Sequence, residues 1–118
     1  MITNQLKKDL QHTFDMLSDE EKAKLSGGKI LITGSAGFIG FYLSHFLYHF
    51  RDTLNLEKVV LLDNFIMGRP AWQEKFLSDE RFAFEKFDII KDHIENISSA
   101  KEINFVVHMA SIASPTFY

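Results

Sequence analysis

The residues with the clearest chemical role lie in the run TGSAGFIG, at positions 33–40. Its glycines follow the pattern GxxGxxG between an apolar run, KILIT, and a helical pattern that begins at Phe38. Gly34 permits a tight turn out of a strand, Gly37 lets the backbone approach a pyrophosphate, and Gly40 lets the helix pack closely. The N–H groups and positive dipole end of the helix then face the phosphates. The alternative is a glycine-rich turn without a ligand, but the strand–turn–helix setting favours dinucleotide binding.

A carboxylate in the expected place supports a dinucleotide. Asp63 ends the second apolar run, KVVLLD, about 20 residues after the glycines. There it can accept both hydroxyl hydrogens of the adenosine ribose and repel a 2′-phosphate, so NAD is predicted rather than NADP. Two alternatives stay open. Asp63 can be a solvated acid at a strand end, and the nearby Arg69 can serve a 2′-phosphate.

The elements that position these residues alternate along the chain. Short apolar runs predict strands at 29–33, 58–63, 81–88 and 104–109, and the alternation in the third suits a strand near a sheet edge. Helical patterns cover 2–17, 18–25, 38–50 and 71–77, and another closes at 98–101. Ser18 and Glu21 form a possible capping box. One face of the third helix is predicted to hold Ile39, Leu43, Phe46, Leu47 and Phe50.

This alternation predicts an α/β fold with right-handed crossovers between parallel strands. We expect the first half of a doubly wound Rossmann sheet, with strand order 3-2-1-4. Residues 1–28 are predicted to be an N-terminal helical extension, and residues 29–118 a truncated NAD-binding Rossmann domain.

Composition excludes several classes of function. The 118 residues carry 13 basic and 16 acidic side chains without a basic block, so no nucleic-acid partner is expected. No apolar run has the length of a membrane span and no cysteine is present, so we expect a cytoplasmic protein without a membrane partner. His45 and His49 are four residues apart on a helix, but no third ligand follows and no metal site is predicted.

Four motifs taken together resemble a known family. TGSAGFIG, LLDNF, FDI and HMASIASP, in this order, are similar to the extended short-chain dehydrogenase/reductases, the NAD-dependent nucleotide-sugar epimerases and dehydratases. The run from His108 to Pro115, followed by Tyr118, most resembles the UDP-glucuronate decarboxylase subgroup. The resemblance covers residues 29–118.

The resemblance implies roles for residues in each motif. The pyrophosphate would be lined by Gly34, Gly37, Phe38, Ile39 and Gly40. Asp63 and Asn64 would hold the adenosine ribose with Gly68 beside them, Asp88 and Ile89 would flank the adenine, and Ala110 and Ser111 would lie beside the nicotinamide ribose. Plainer roles remain open: Asp88 as a strand-end cap, Ser111 and Ser114 as loop residues, and His108 as a packed structural histidine.

The implied function is that of a nucleotide-sugar enzyme in which NAD oxidises the sugar at C4 and a tyrosine–lysine pair moves the proton. That Tyr-x-x-x-Lys pair would follow the fifth strand, and none of the three tyrosines in this chain has a lysine four residues later. We therefore expect no catalytic residue and no turnover in these 118 residues alone. The alternative is a non-catalytic dinucleotide-binding module, or a half-domain completed by another chain.

The fourth predicted strand also predicts association. The segment 104–109 contains no charge and no proline, and it lies at the sheet edge in the predicted order. We therefore expect a homo-oligomer, or poor solubility. The alternative is a monomer in which the last residues or the N-terminal helix cover the edge.

Overall fold

A parallel sheet forms the centre of the molecule. The computed structural model describes residues 3–35, 37–64, 71–88, 92–93, 97 and 102–108. Its four strands are β1 (Lys29–Thr33), β2 (Lys58–Asp63), β3 (Phe82–Lys86) and β4 (Phe105–His108). They pair in parallel in the order β3-β2-β1-β4. The predicted fold class, strand order and edge position of the third strand are confirmed.

The two central strands are apolar along their length because both of their faces are covered. On one face, Ile30, Ile32, Val59 and Leu61 join the larger hydrophobic cluster. On the other face, Leu31, Val60 and Leu62 join a smaller cluster with Phe87. Each of these side chains is at most 3% exposed, apart from Phe87 at 5%. The two central strands are therefore held by packing on both faces, and they support the residues that follow their carboxyl ends.

The helices begin where the sequence supplies caps. They are α1 (Asn4–Met16), α2 (Asp19–Leu25) and α3 (Phe38–His49). The Thr3 hydroxyl accepts a hydrogen bond from the Leu6 N–H at the start of α1. At α2 the predicted capping box is present, with Ser18 and Glu21 each accepting from the other's backbone N–H. The predicted helix at 71–77 is a 3-10 helix, Ala71–Ser78.

The N-terminal helix packs on the same face of the sheet as α3. The rings of Phe14 and Phe50 stack at 4.3 Å between centroids, with 13° between their planes. The Tyr42 hydroxyl lies 2.6 Å from the Thr13 hydroxyl and donates to the carbonyl of Asp9. Leu10 is fully buried in the larger cluster, against which Phe105 and Val107 of β4 also pack. The helix therefore helps to cover the sheet, including one side of β4.

The exposure of Ile39 and the start of β4 differ from the sequence prediction. Ile39 was assigned to the apolar face of α3, but it is 65% exposed because it lies in the first turn, where the helix leaves the sheet edge. β4 begins at Phe105 rather than at residue 104, because Asn104 instead binds the start of β1 with its backbone N–H and side-chain oxygen. The helical stretch closing at 98–101 lies outside the described residues.

An ion-pair network joins the end of α3 to the start of β3. Asp79 lies 2.6 Å from the Arg51 Nε and 3.0 Å from an Arg81 guanidinium nitrogen, and Arg81 also pairs with Asp52. The Arg81 hydrogen bonds lower the pKa of Asp79 to about 2, against the opposing effect of burial. The side chain of Asp79 is only 14% exposed, so screening by water is weak.

We predict that Asp79→Asn lowers the free energy of unfolding by about 1 to 2 kcal/mol near neutral pH. The folded-state pKa of Asp79 is depressed, so its contribution is complete above the unfolded pKa and disappears as pH falls towards about 2. Urea unfolding of wild type and variant across acidic to neutral pH measures this difference. Asp52→Asn is the control, because the Asp52 side chain is 80% exposed. Equal pH dependence in wild type and Asp79→Asn would contradict the assignment.

Candidate functional site

The glycine-rich turn leaves the sheet at the carboxyl end of β1. Gly34 has a φ of +73°, in the left-handed region that a residue with a β-carbon rarely adopts. Ser35 is fully buried, and its N–H donates to the carbonyl of Leu62 in β2 at 3.1 Å. The Gly37 N–H donates back to the Gly34 carbonyl at 3.3 Å. The chain therefore turns within four residues and delivers α3 directly above the strand ends.

The N-terminus of α3 differs from those of the other helices. Gly37 is its N-cap, no side chain caps it, and no acidic residue stands in its first turn. Gly37 is exposed, and a β-carbon there would find its nearest neighbour, the Gly34 oxygen, 3.6 Å away. An uncapped helix start behind an open glycine presents backbone N–H groups and a positive dipole end, which is an anion-binding arrangement.

Gly40 has a different role, which concerns packing within the turn. A β-carbon on Gly40 would lie against the backbone oxygen of Ser35 and only 2.6 Å from its carbonyl carbon. Backbone atoms held by the turn cannot move aside in the way that a flexible side chain can. Helix α3 can therefore approach Ser35 only because residue 40 is glycine.

Strand register brings the candidate residues to one edge of the sheet. Thr33 pairs with Leu62 and with His108, and Asp63 pairs with Lys86. The glycine-rich turn after β1, the carboxylate at the end of β2 and the residues after β3 therefore lie at adjacent strand ends. Asp63 is half-buried, and its carbonyl accepts from the Phe87 N–H at 2.9 Å. Asn64 is also half-buried.

Asp88 lies just after β3 and is hydrogen-bonded to Asp92. Its N–H donates to the Asp92 carboxylate at 2.7 Å, and its carbonyl accepts from the Asp92 N–H at 2.8 Å. Asp88 is half-buried. These two hydrogen bonds fix the backbone of Asp88 close to the end of β3. This position is compatible with a contact to the adenine and also with a role as a strand-end cap.

His108 differs from the packed residue that the sequence suggested. It is exposed at the end of β4, and its Nδ1 lies 2.8 Å from the Thr33 hydroxyl. The alternation of β4 places Phe105 and Val107 towards the core, so His108 belongs to the opposite, exposed set with Val106. Thr33 is 4% exposed at the base of the glycine-rich turn. The hydrogen-bonded pair of Thr33 and His108 connects β1 to β4. The strand order reverses between these two strands, and open α/β sheets bind their ligands at such a switch point.

Two polar residues at this site had no part in the sequence prediction. Gln73 of the 3-10 helix and Ser35 are both fully buried, and the Gln73 Nε2 donates to the Ser35 hydroxyl at 3.4 Å. The glycine motif gave a signal for Ser35, which lies inside it. Nothing local distinguishes Gln73, because its contact reaches across 38 positions of the chain.

The remaining candidates are outside these contacts or have structural roles. Gly68, Ile89, Ala110 and Ser111 lie outside the described residues, as do Arg69, Ser114 and the side chain of Phe38. The His45 Nδ1 donates to the Phe41 carbonyl at 2.8 Å, and burial lowers the pKa of this histidine. Within the described ranges, no group of three or more histidine, aspartate or glutamate side chains is arranged to hold a metal ion. No helix there is long and apolar enough to cross a membrane.

The donor set fits a dinucleotide. A helix start that no described side chain caps, an open glycine and a carboxylate on the neighbouring strand are the partners that a pyrophosphate and a ribose require. Residues 30–117 match the NAD dependent epimerase/dehydratase family. The chain belongs to that family. NAD is the cofactor in the family's description, and the predicted family resemblance is confirmed.

Individual members of this epimerase/dehydratase family are similar over the same region. The uncharacterized protein MJ1055 of Methanocaldococcus jannaschii is 37% identical over 90 residues, 71% of this chain and 27% of that protein. UDP-glucuronic acid decarboxylase 1 of Danio rerio is 33% identical over 93 residues, 76% of this chain and 19% of that enzyme. The chain thus spans about a fifth to a quarter of the curated relatives it matches.

A solved structure has the same fold. The crystal structure of dTDP-glucose 4,6-dehydratase from Bacillus anthracis, in complex with NAD, superposes with a TM-score of 0.60 at 22% identity. The match covers 72% of this chain and 27% of that enzyme. At this identity the likeness establishes the Rossmann arrangement of the sheet and helices.

Proposed function

We propose that this chain is the NAD-binding part of a nucleotide-sugar-modifying enzyme, with residues 29–118 as the binding domain and residues 1–28 as a helical extension. The observation that carries the proposal is the uncapped start of α3, behind the exposed Gly37 and beside Asp63 on the next strand. Membership of the NAD dependent epimerase/dehydratase family supports the same cofactor. When bound, NAD supplies the hydride acceptor for the reaction.

Each part of the chain would hold a different part of the cofactor. The N–H groups at the start of α3, with Gly34, Gly37, Ile39 and Gly40, would hold the pyrophosphate. Asp63, with Asn64 and Gly68, would hold the adenosine ribose, and its negative charge disfavours a 2′-phosphate. Asp88 and Ile89 would flank the adenine, while Ala110 and Ser111 would lie beside the nicotinamide ribose.

The substrate class that we propose is a nucleotide sugar, oxidised at C4, and the reaction is the decarboxylation of UDP-glucuronate. The similarity to UDP-glucuronic acid decarboxylases from Danio rerio and Arabidopsis thaliana supports this choice. Tyr42 and Tyr48 have Phe46 and Asp52, not lysine, at the fourth position after them, so neither would supply the tyrosine–lysine pair of this reaction. We also propose a cytoplasmic homo-oligomer, in which the 65% exposed Val106 of β4 supports self-association.

Asp63→Ala tests the cofactor assignment. We expect wild type to bind NAD more tightly than NADP, and the variant to narrow that difference about tenfold, because the carboxylate no longer repels the 2′-phosphate. Titration calorimetry with both dinucleotides measures the ratio. Glu80→Ala is a control, because that exposed carboxylate lies before β3, at the opposite end of the strands from the site. A wild-type preference for NADP, or an unchanged ratio in the variant, would overturn the role of Asp63.

A further inference from the structure

The buried amide of Gln73 lies directly behind the glycine-rich turn. Gln73 is fully buried, and its Nε2 donates to the hydroxyl of Ser35, the first residue after Gly34. Its Oε1 is also buried and accepts no hydrogen bond from any residue in the described part of the chain. A buried acceptor without a donor is energetically unfavourable, so the amide stays in this position at a cost to folding. Proteins tolerate such a loss of folding stability mainly at functional sites, where a side chain is retained for binding or catalysis.

The position of Gln73 is fixed by its neighbours on the 3-10 helix. Trp72 meets the Phe41 ring edge-on at 5.2 Å, and Phe76 stacks on Tyr48 at 4.4 Å between ring centroids. Phe76 is 2% exposed. These two aromatic anchors attach the 3-10 helix to α3 on either side of Gln73, so the amide is held against Ser35 by packing rather than by its own weak hydrogen bond.

Ser35 in turn controls the shape of the turn. Its N–H is bonded to Leu62 of β2, its backbone contacts Gly40, and its hydroxyl accepts from Gln73. Three separate elements therefore meet at one buried residue: the sheet, helix α3 and the 3-10 helix.

We infer that Gln73 is a positioning residue, which fixes Ser35 and thereby the geometry of the phosphate-binding turn. The inference rests on the proposed function for its effect on affinity. Gln73 is fully buried behind the turn, so it would not contact the cofactor directly. It acts by limiting the motion of the turn before the pyrophosphate arrives, so the ordering of the turn is complete in the free protein.

Gln73→Met separates positioning from simple packing. Methionine keeps the volume and apolar stem but removes both the donor to Ser35 and the unpaired acceptor. We expect the unfolding midpoint to stay unchanged or rise, while NAD affinity falls about tenfold. Lys75→Met is the matched control, because Lys75 is exposed on the same 3-10 helix and should leave affinity unchanged. A parallel loss of stability and affinity in Gln73→Met would mean that the residue only packs.

A double-mutant cycle and hydrogen exchange complete the test. Ser35→Ala should reduce affinity by a similar factor, and the double variant should bind no more weakly than either single variant. In Gln73→Met without ligand, the amides of Ser35 and Gly37 should exchange about tenfold faster, while that of Leu61 in β2 is unchanged. If wild type binds no NAD, the proposed function fails, and the exchange rates still decide the role of Gln73. Unchanged exchange at Ser35 and Gly37 would overturn it.

Discussion

Replacement of Gly40 by alanine should lower the free energy of unfolding by about 2 to 3 kcal/mol. The added β-carbon would meet the backbone of Ser35, with the carbonyl carbon at 2.6 Å and the α-carbon at 2.8 Å. Ser35 cannot move away from the added β-carbon, because its N–H donates to the carbonyl of Leu62 and its side chain is fully buried. Relief therefore requires α3 to shift, and this helix carries Phe46 and Leu47 into the core.

Urea unfolding followed by circular dichroism measures the loss, and Gly37→Ala is the matched control. That glycine belongs to the same motif but is exposed, and its added β-carbon would stay 3.6 Å from the nearest atom. We expect the control to cost less than about 1 kcal/mol, mainly through the weaker preference of alanine for the N-cap position. Equal losses in the two variants would show that steric contact at Gly40 does not determine the stability of the turn.

The contrast between these glycines shows which conformational demands of the turn are encoded locally in the sequence. The motif encodes local demands: a positive φ at Gly34, an open surface at Gly37 and close approach at Gly40. Each demand depends on residues within the same eight positions or on the strand beside them. The strand order was equally predictable, because short apolar runs alternating with helices allow few parallel arrangements.

The errors occurred where a residue's surroundings come from distant parts of the chain. Ile39 has the helical spacing of a core residue, but it lies in the first turn of α3, at the exposed edge above the strand ends. His108 follows three apolar-run residues, yet the alternation of β4 turns it outward, where its imidazole meets Thr33. Periodicity identifies a face, but it does not identify how far along the element that face remains covered.

Long-range contacts between polar residues were beyond prediction for a related reason. The hydrogen bond from Gln73 to Ser35 joins two parts of the chain that only the packing of the 3-10 helix on α3 brings together. The sequence likewise predicted an amphipathic first helix without indicating its partner, which is α3 through Phe14 and Phe50. Aromatic and polar contacts of this kind depend on the relative placement of whole elements, which local patterns do not specify.

Gly37→Val should leave the chain folded and weaken NAD binding by about a hundredfold or more, equivalent to about 2.7 kcal/mol. The φ of −78° and ψ of −177° at Gly37 are extended values that valine adopts without strain. Among the described residues, apart from the two chain neighbours, no atom lies closer than 3.6 Å to the β-carbon position, so valine would project into open space there. In the proposed complex, that space belongs to the pyrophosphate, which must approach the N–H groups at the start of α3.

Titration calorimetry and urea unfolding on the same samples distinguish this effect from misfolding. A series of glycine, alanine and valine at position 37 should show affinity falling with side-chain size, while the unfolding free energy changes by about 1 kcal/mol or less. At Gly40 we expect the reverse: a larger side chain should lower the free energy of unfolding, because the β-carbon would meet the backbone of Ser35. If Gly37→Val keeps NAD affinity within about twofold of wild type, less than 0.5 kcal/mol, the pyrophosphate does not lie over this turn. The dinucleotide site would then have to be sought elsewhere along the strand ends.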